Sequence, residues 1–432
     1  MNSSIGTIAR VVLRAGCGGG TRWLYCGLAG AIAATGAPLA HAEGAAPRVL
    51  MDIIEQPLSI GARQDVVYDD NVVQGSSEAA EVRGLKNSEF IVTPSATVNF
   101  GHNGGRFGVS FNGVFGYDFH QKNTVLDRER IDFSGSAAAL VGSSCSVTGQ
   151  YAYLRKQTRQ QDLTTIVTAN RVMVYVATLG QTCIAPSGLT ESVQILRSAW
   201  HNSSVLNINN DRKAVSGLLG YTAPAWGLVG ATFLYERTDF FGRRDIMVMT
   251  PDTLEKTSVG IQYASPIDKR LSGSLSAGYV FSKATVPTDS RLAGPRGRGG
   301  LVAQASILYK PTNRWRIAGQ AARKIRHDTS FTVTTDLQLS VDYTVTPTIR
   351  SSAGGRWLRD RYYGRDVTLT QIAQDRQDQT TLFGTLAFQV GKRSTLTADA
   401  RHDIGRSDFS PFDYSGTRFT LSLSTSLGPP FR

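Results

Sequence analysis

The sequence predicts an all-β chain, a transmembrane, antiparallel, up-and-down β-barrel of about 18 strands, within a range of roughly 16–20, with both termini on the periplasmic side. Three observations carry this expectation. Apolar and polar residues alternate with period two in segment after segment, short turns alternate with longer polar connections, and an export signal precedes the first strand.

The signal comes first in the chain. Arg10, Arg14 and Arg22 precede an apolar, small-residue run over residues 24–39, and Ala40-His41-Ala42 then supplies a small-x-small site. Residues 1–42 therefore read as a signal peptide cleaved after Ala42. Cys26 follows Trp23-Leu24-Tyr25 and lacks the small residues that lipoprotein acylation needs ahead of its cysteine. Residues 43–57 are expected as a periplasmic segment, residues 58–427 as the barrel and residues 428–432 as a C-terminal tail. Loss of the signal removes three arginines and no acid, so the formal charge falls from +12 to +9. It leaves two cysteines, Cys145 and Cys183, in a compartment that permits disulfides. Beyond the signal no run approaches about 18 uninterrupted apolar residues, so no transmembrane helix is expected.

Alternation is clearest over residues 106–120, with Phe107, Val109, Phe111, Phe115, Tyr117 and Phe119 on one face and Ser110, Asn112, Gly116 and Asp118 on the other. Residues 271–281 repeat it with Leu271, Leu275, Ala277, Tyr279 and Phe281 against four small polar or glycine positions. Near the end Phe419, Leu421, Leu423 and Leu427 alternate with Thr420, Ser422, Ser424 and Ser426. Helical periodicity is nowhere sustained.

Short turns are expected at 101–105, 142–144, 185–188, 223–227, 265–269, 310–313, 344–348 and 391–393. Longer, more polar connections are expected around 69–88, 120–128, 156–169, 201–210, 237–253, 283–298, 327–331, 359–378 and 403–413. Eight turns and nine loops join 18 strands, and short turns alternating with longer loops are the habit of outer-membrane barrels. A secreted sandwich or propeller would show no systematic difference between alternate connections, and no per-blade repeat is found. Tyr414, Gly416, Phe419 and Leu421 match the spacing of the terminal signal read by the barrel-assembly machinery, although the chain runs on through Gly428-Pro429-Pro430-Phe431-Arg432.

Residues 58–68, followed by Asp69-Asp70-Asn71-Val72, resemble the opening strand and first-loop signature of the outer-membrane β-barrel porins found with exopolysaccharide biosynthesis and export operons. The resemblance continues as pattern through the later strands. It implies a wide monomeric barrel in a Gram-negative outer membrane that helps an extracellular polysaccharide, an anionic one among the candidates, to cross alongside other export proteins.

With the apolar face turned to lipid, residues 315–325 direct Arg316, Gln320 and Lys324 into the pore. Residues 333–343 direct Asp336, Gln338, Ser340 and Asp342 there, and residues 349–357 direct Arg350 and Arg356. A turn centred on Thr346 sets Asp342 opposite Arg350 and Asp336 opposite Arg356, while one centred on Thr329 sets Arg316 opposite Asp342. Two readings of this wall stand: cross-strand neutralisation that keeps the lumen polar, or surplus arginines that draw anions through. Arg243, Arg244, Arg291, Arg296 and Arg298 fall in external connections, where they would meet an acidic polysaccharide, lipopolysaccharide phosphates or water.

Cys145 and Cys183 lie near the two ends of one expected hairpin, as a cross-strand disulfide or as two thiols. Parity on the second strand is open between Val172-Val174-Val176 and Met173-Tyr175-Leu179. The rival class is an outer-membrane enzyme, but His102, His120, His201, His327 and His402 are scattered singly, including His120 beside Asp118 and His402 beside Asp403, with no Ser-His motif. No His or Cys pair has ligand spacing and no Gly-rich phosphate loop leads into a helix, so no catalysis, metal or cofactor is expected. Gly294-Pro295-Arg296-Gly297-Arg298-Gly299-Gly300 reads as a flexible external loop rather than a nucleic-acid tract. A diffusion porin for small solutes is the alternative to polysaccharide export.

Overall fold

A strand that is apolar on one face and polar on the other must bury its backbone groups in a sheet, and a sheet in lipid must close on itself, because an open edge leaves N–H and C=O groups without partners. The computed structural model shows that closure. It describes residues 56–73, 77–157, 170–203, 209–241, 253–266, 270–285, 297–327, 331–363, 376–408 and 413–427. Residues 1–42, expected as a signal peptide, the segment to residue 55 and the tail 428–432 lie outside these residues, as do Arg243, Arg244, Arg291, Arg296 and the side chain of Arg298.

Eighteen strands follow in chain order. They are β1 (Gln56–Asp69), β2 (Glu89–Asn103), β3 (Phe107–His120), β4 (Arg128–Val141), β5 (Cys145–Gln157), β6 (Arg171–Ile184), β7 (Leu189–Asn202), β8 (Asn209–Ala223), β9 (Gly227–Phe241), β10 (Thr253–Pro266), β11 (Leu271–Thr285), β12 (Gly297–Tyr309), β13 (Trp315–His327), β14 (Phe331–Thr346), β15 (Ile349–Tyr363), β16 (Arg376–Val390), β17 (Ser394–Ser407) and β18 (Tyr414–Ser426). Each pairs antiparallel with its chain neighbours, and β1 closes the ring on β18 from Gly61↔Ser426 to Asp69↔Arg418. At about 3.4 Å per residue and a tilt of about 40°, a 14-residue strand rises roughly 36 Å, more than the ~25 Å apolar band of such barrels, so both rims reach the headgroup layers.

The eight short turns and nine longer connections fall where the sequence places them, with the strands longer than expected at the loop rim. β15 and β16 run to Tyr363 and from Arg376, and β17 runs to Ser407. The extra residues include Arg359, Arg361, Arg376, Asp378 and Arg406, charges that read as loop in a sequence but suit outward strand positions at headgroup level. Gly188 (φ +95°) and Gly227 (φ +86°) occupy turn positions in the left-handed region, which side chains rarely adopt, and a Cβ on Gly227 would come 2.1 Å from the Ala264 carbonyl oxygen. The long connections also hold helix that the periodicity did not show: α1 (Ser77–Val82) between β1 and β2, and a 3-10 turn (Thr124–Leu126) between β3 and β4. Both are a single turn or two, too short for a period of 3.6 to register. No helix among the described residues is long and apolar enough to cross a membrane.

One register differs from expectation. Asp342 pairs with Ser352 rather than Arg350, and Asp336 with Leu358 rather than Arg356. Pro347 and Thr348 form the turn in place of a centre at Thr346, with an irregularity between Thr344 and Thr346. Proline's fixed φ suits the turn and its missing N–H is no loss there. The slip is two residues, so every side chain keeps its face.

Cys145 and Cys183 are direct cross-strand partners at the turn end of β5 and β6, with Cα atoms 4.0 Å apart and sulfurs bonded at 2.10 Å. They staple a hairpin whose ends are 38 residues apart. A disulfide closing a loop of that length contributes about 2–4 kcal/mol. Cys145→Ala/Cys183→Ala should lower the unfolding free energy of the folded barrel by that amount in denaturant titration, and alkylation of unreduced wild type should label neither cysteine.

Candidate functional site

The two faces of the wall are opposite in character. On β9, Leu228, Gly230, Thr232, Leu234, Glu236 and Thr238 are buried while Val229, Ala231, Phe233, Tyr235 and Arg237 between them are exposed. The exposed set continues around the ring through Leu219 at 60%, Ile261 at 67% and Leu301 at 68%, an apolar girdle far beyond what a water-soluble surface carries. A closed barrel with such a girdle spans a membrane, and this is the architecture of the Gram-negative outer membrane.

The other face lines the lumen, and it is divided. Along β13–β18 and β1 the lumen-facing charges among the described side chains are Arg63, Arg316, Lys324, Arg350, Arg356, Arg401 and Arg418, against Asp65, Asp69, Asp336, Asp342, Asp360, Asp399 and Asp403. Most are visibly paired. Arg356 grips Asp336 bidentately at 2.8 and 2.8 Å, Arg401 holds Asp403 at 2.6 and 2.8 Å, Arg63 reaches Asp65 at 2.6 Å, Arg418 reaches Asp69 at 2.8 Å, and Arg316 lies 3.6 Å from Asp342. Thr385 donates to Asp399 at 2.6 Å. Bidentate guanidinium–carboxylate pairs are the strongest of the polar interactions and hold side chains against the wall.

Half a turn around the barrel, on β5–β9, the lumen face carries Leu154, Val172, Val174, Val176, Leu196, Ala214 and Leu234, packed together with Ala152 and Trp200. This settles the parity of β6: the three valines point inward, and Tyr175 and Leu179 point out. Apolar residues inside a pore escape a sequence reading that equates apolar with lipid-facing. Beside them the buried Arg212 and Glu236 meet the half-buried Lys256, with Arg212 Nη2 2.5 Å and Lys256 Nζ 3.9 Å from the Glu236 carboxylate.

At the loop rim the first connection turns inward. The Asp70 N–H donates to the Thr417 carbonyl at 3.1 Å, and Asn71 Nδ2 donates to the Ser415 carbonyl at 3.0 Å. A Cβ on Gly416, whose position faces the lumen, would come 2.9 Å from Asn71 Cβ, so the chain lies against the inner surface of β18. Val72, Val73, Ala80 and Leu85 of this loop bury with Leu126 of the β3–β4 connection into a small core of their own. Glu89, fully buried, fastens the two loops by accepting from the Lys122 and Asn123 backbone at 2.9 and 2.8 Å and from Asn123 Nδ2 at 2.8 Å, with His120 Nδ1 at 2.9 Å. Burial also pulls the Arg83 guanidinium, beside this core, below its ordinary pKa.

The residues singled out from sequence are thus distributed. Arg316, Gln320, Lys324, Asp336, Asp342, Arg350 and Arg356 share one lumen wall across β13–β15. Phe419 and Leu421 are half exposed on the outer girdle. Tyr414 is buried on the lumen face with its ring over Gly405, where a Cβ would meet it at 2.1 Å, and Gly416 is the bed of the first loop. His120 and Asp118 share the lumen face, but His120 turns to Glu89 and Asp118 accepts from Thr93 at 2.6 Å. His402 faces out, 3.0 Å from Thr417, while Asp403 faces in.

No family model matches the chain, and no curated protein matches it. Among solved structures, OccK2 (OpdF) of Pseudomonas aeruginosa, in complex with glucuronate, is similar over 86% of this chain and 98% of that one, at 12% identity and a TM-score of 0.46. OccK3 (OpdO) of the same organism is similar over 88% and 98% at 13% identity and 0.45, and the FrpB iron transporter of Neisseria meningitidis over 84% and 64% at 8% identity and 0.46. At such scores the likeness adds nothing to what the strand pairing already establishes.

Gly416→Val should dislodge the first loop from β18 at an overpacking cost of about 1–3 kcal/mol. The folded variant, still heat-modifiable on electrophoresis, should be cut by protease within residues 70–88 much faster than wild type. Equal resistance would show that the loop does not depend on this approach.

Proposed function

We propose that this protein is a passive outer-membrane channel for uncharged or weakly charged hydrophilic solutes, with its long loops at the cell surface and its short turns and termini in the periplasm. The observation that carries the reading is the near balance of the lumen wall, where seven bases face seven acids among the described side chains of β13–β18 and β1. Paired charges keep water in the pore without favouring either sign of ion, whereas a surplus of one sign selects strongly. The anion-attracting reading of the arginines is correspondingly disfavoured, since Arg356 and Arg316 already hold acids of the same wall.

Passage of an extracellular polysaccharide is the more specific form of this proposal. It is supported by the resemblance of Asp69-Asp70-Asn71-Val72 to the exopolysaccharide-associated porins, and these residues seat the first loop inside the mouth. A balanced wall suits a neutral, hydroxyl-rich chain better than an acidic one. Catalysis has no part in the proposal, and a single barrel is taken as the working unit, inserted by the barrel-assembly machinery through its last strand.

Planar-bilayer recordings test it. Wild type should conduct with a cation-to-anion permeability ratio near one. Arg316→Ala/Arg350→Ala/Arg356→Ala strips Asp336 and Asp342 of their partners and should shift the ratio severalfold toward cations, because the lumen then carries uncompensated carboxylates. Strong anion selectivity in wild type, or no conductance from folded barrels, would overturn the reading.

A further inference from the structure

Among the described residues, the outward face of β13–β17 at the loop rim carries more guanidiniums than carboxylates. One cross-strand row runs Arg323↔Thr335↔Arg359↔Asp378↔Arg406, and in the row above it Arg361 stands directly opposite Arg376. Asp378 accepts from Arg359 Nε at 2.7 Å and also from Arg376. With Asp408 and with Asp413, which accepts from the Ser407 N–H at 2.6 Å, included, five guanidiniums meet three carboxylates among the described residues. Arg323, Arg361 and Arg406 are exposed. Like charges directly opposite across strands destabilise a sheet; Asp378 answers Arg376, and an anion from outside would answer Arg361.

The surroundings say what kind of anion. The patch is on the lipid side of the wall, immediately above the apolar girdle: Leu337 and Leu382, 43% and 55% exposed, lie below it on β14 and β16. Trp357 sits between the two zones, with the Arg359 guanidinium 4.7 Å from its ring, as aromatic residues do at the edge of outer-membrane barrels. Across the barrel the same rim is nearly neutral, because Arg197 and Lys213 are held by Asp211 and Arg237 by Asp239. A small free anion needs no apolar floor beneath it. A lipid does.

We infer that Arg361, Arg376 and Arg406, steadied by Arg359 and Asp378, bind the phosphate of a lipid headgroup in the outer leaflet, with its acyl chains lying on Leu382 and Leu337. Guanidinium forks match phosphate oxygens two by two. The inference deepens the proposed orientation, in which the loop rim faces the cell surface, and is independent of what the lumen conducts.

Native mass spectrometry of the detergent-solubilised full barrel, titrated with bisphosphorylated lipid A and with the same lipid dephosphorylated, provides the test. Wild type and a control, Arg197→Gln/Arg237→Gln, should retain the phosphorylated lipid. Arg361→Gln/Arg376→Gln should bind it about a hundredfold more weakly, at about tenfold for each guanidinium–phosphate bond removed. In zwitterionic detergent alone the double variant should unfold at or above the wild-type temperature, since a repulsive pair is gone, and added lipid should raise only the wild-type and control values. Equal binding by the double variant, equal loss in the control, or equal binding of the dephosphorylated lipid would overturn the inference. If the double variant fails to fold, Arg406→Gln alone carries the same comparison. Conductance recorded in parallel should match wild type, so a failed channel reading and a failed lipid site give different results.

Discussion

Closure of β1 on β18 is the constraint from which the rest of the structure follows. In lipid each unpaired backbone group costs several kcal/mol, so eighteen strands without that seam would expose two edges that nothing in the bilayer satisfies. The seam is reinforced where it is most exposed to competition from water. Asp69 at the end of β1 takes Arg418 from β18 across it, and Asp70 and Asn71 then bond to the β18 backbone before the chain turns into the lumen. The first loop therefore serves closure as well as covering part of the mouth. Gly416 is the point at which β18 makes room for it.

Closure also creates an inside, and the inside is where sequence reasoning reached its limit. Strand number, turn positions and the outer face of most strands were legible, because lipid imposes the same demand on every outward residue and the demand repeats with period two. The charged wall of β13–β15 was legible for the same reason. The β14–β15 register was not: a bulge beside Pro347 moves the pairing by two residues while leaving the alternation untouched, so no pattern of apolar and polar residues records it. The inward valines of β6 were illegible in principle, since a strand apolar on both faces shows no preferred parity. Glu89 was missed because its partners Lys122 and Asn123 lie in another loop, and it is the β2–β3 pairing that brings them to it.

The divided lumen follows from the same geometry. In an 18-stranded ring β14 and β5 are nine strands apart, so the ion-paired wall and the Leu154–Val176–Leu234 cluster face each other across the pore. Water against the charged wall is held by fixed donors and acceptors, whereas the apolar wall offers it nothing. A solute with a hydroxylated edge and an apolar face, as pyranose rings have, would meet complementary surfaces on its two sides. That fits a hydrophilic, uncharged cargo better than a small ion.

The contrast between inside and outside charges bears on why the outer rim is left unbalanced. Within the lumen no phosphate layer stands opposite, so keeping the pore free of a bias toward one sign of ion requires the counter-charges to come from the chain itself. The Arg356–Asp336 and Arg401–Asp403 pairs satisfy that requirement from within the chain. At the headgroup level on the outside, a phosphate layer is permanently present, and an arginine left without an acid meets its counter-charge on insertion. Five guanidiniums against three carboxylates among the described residues of this rim would be a liability in water, and at the proposed lipid site the same surplus becomes an anchor. The same chain thus follows two opposite charge rules, one on each face of a wall a single strand thick.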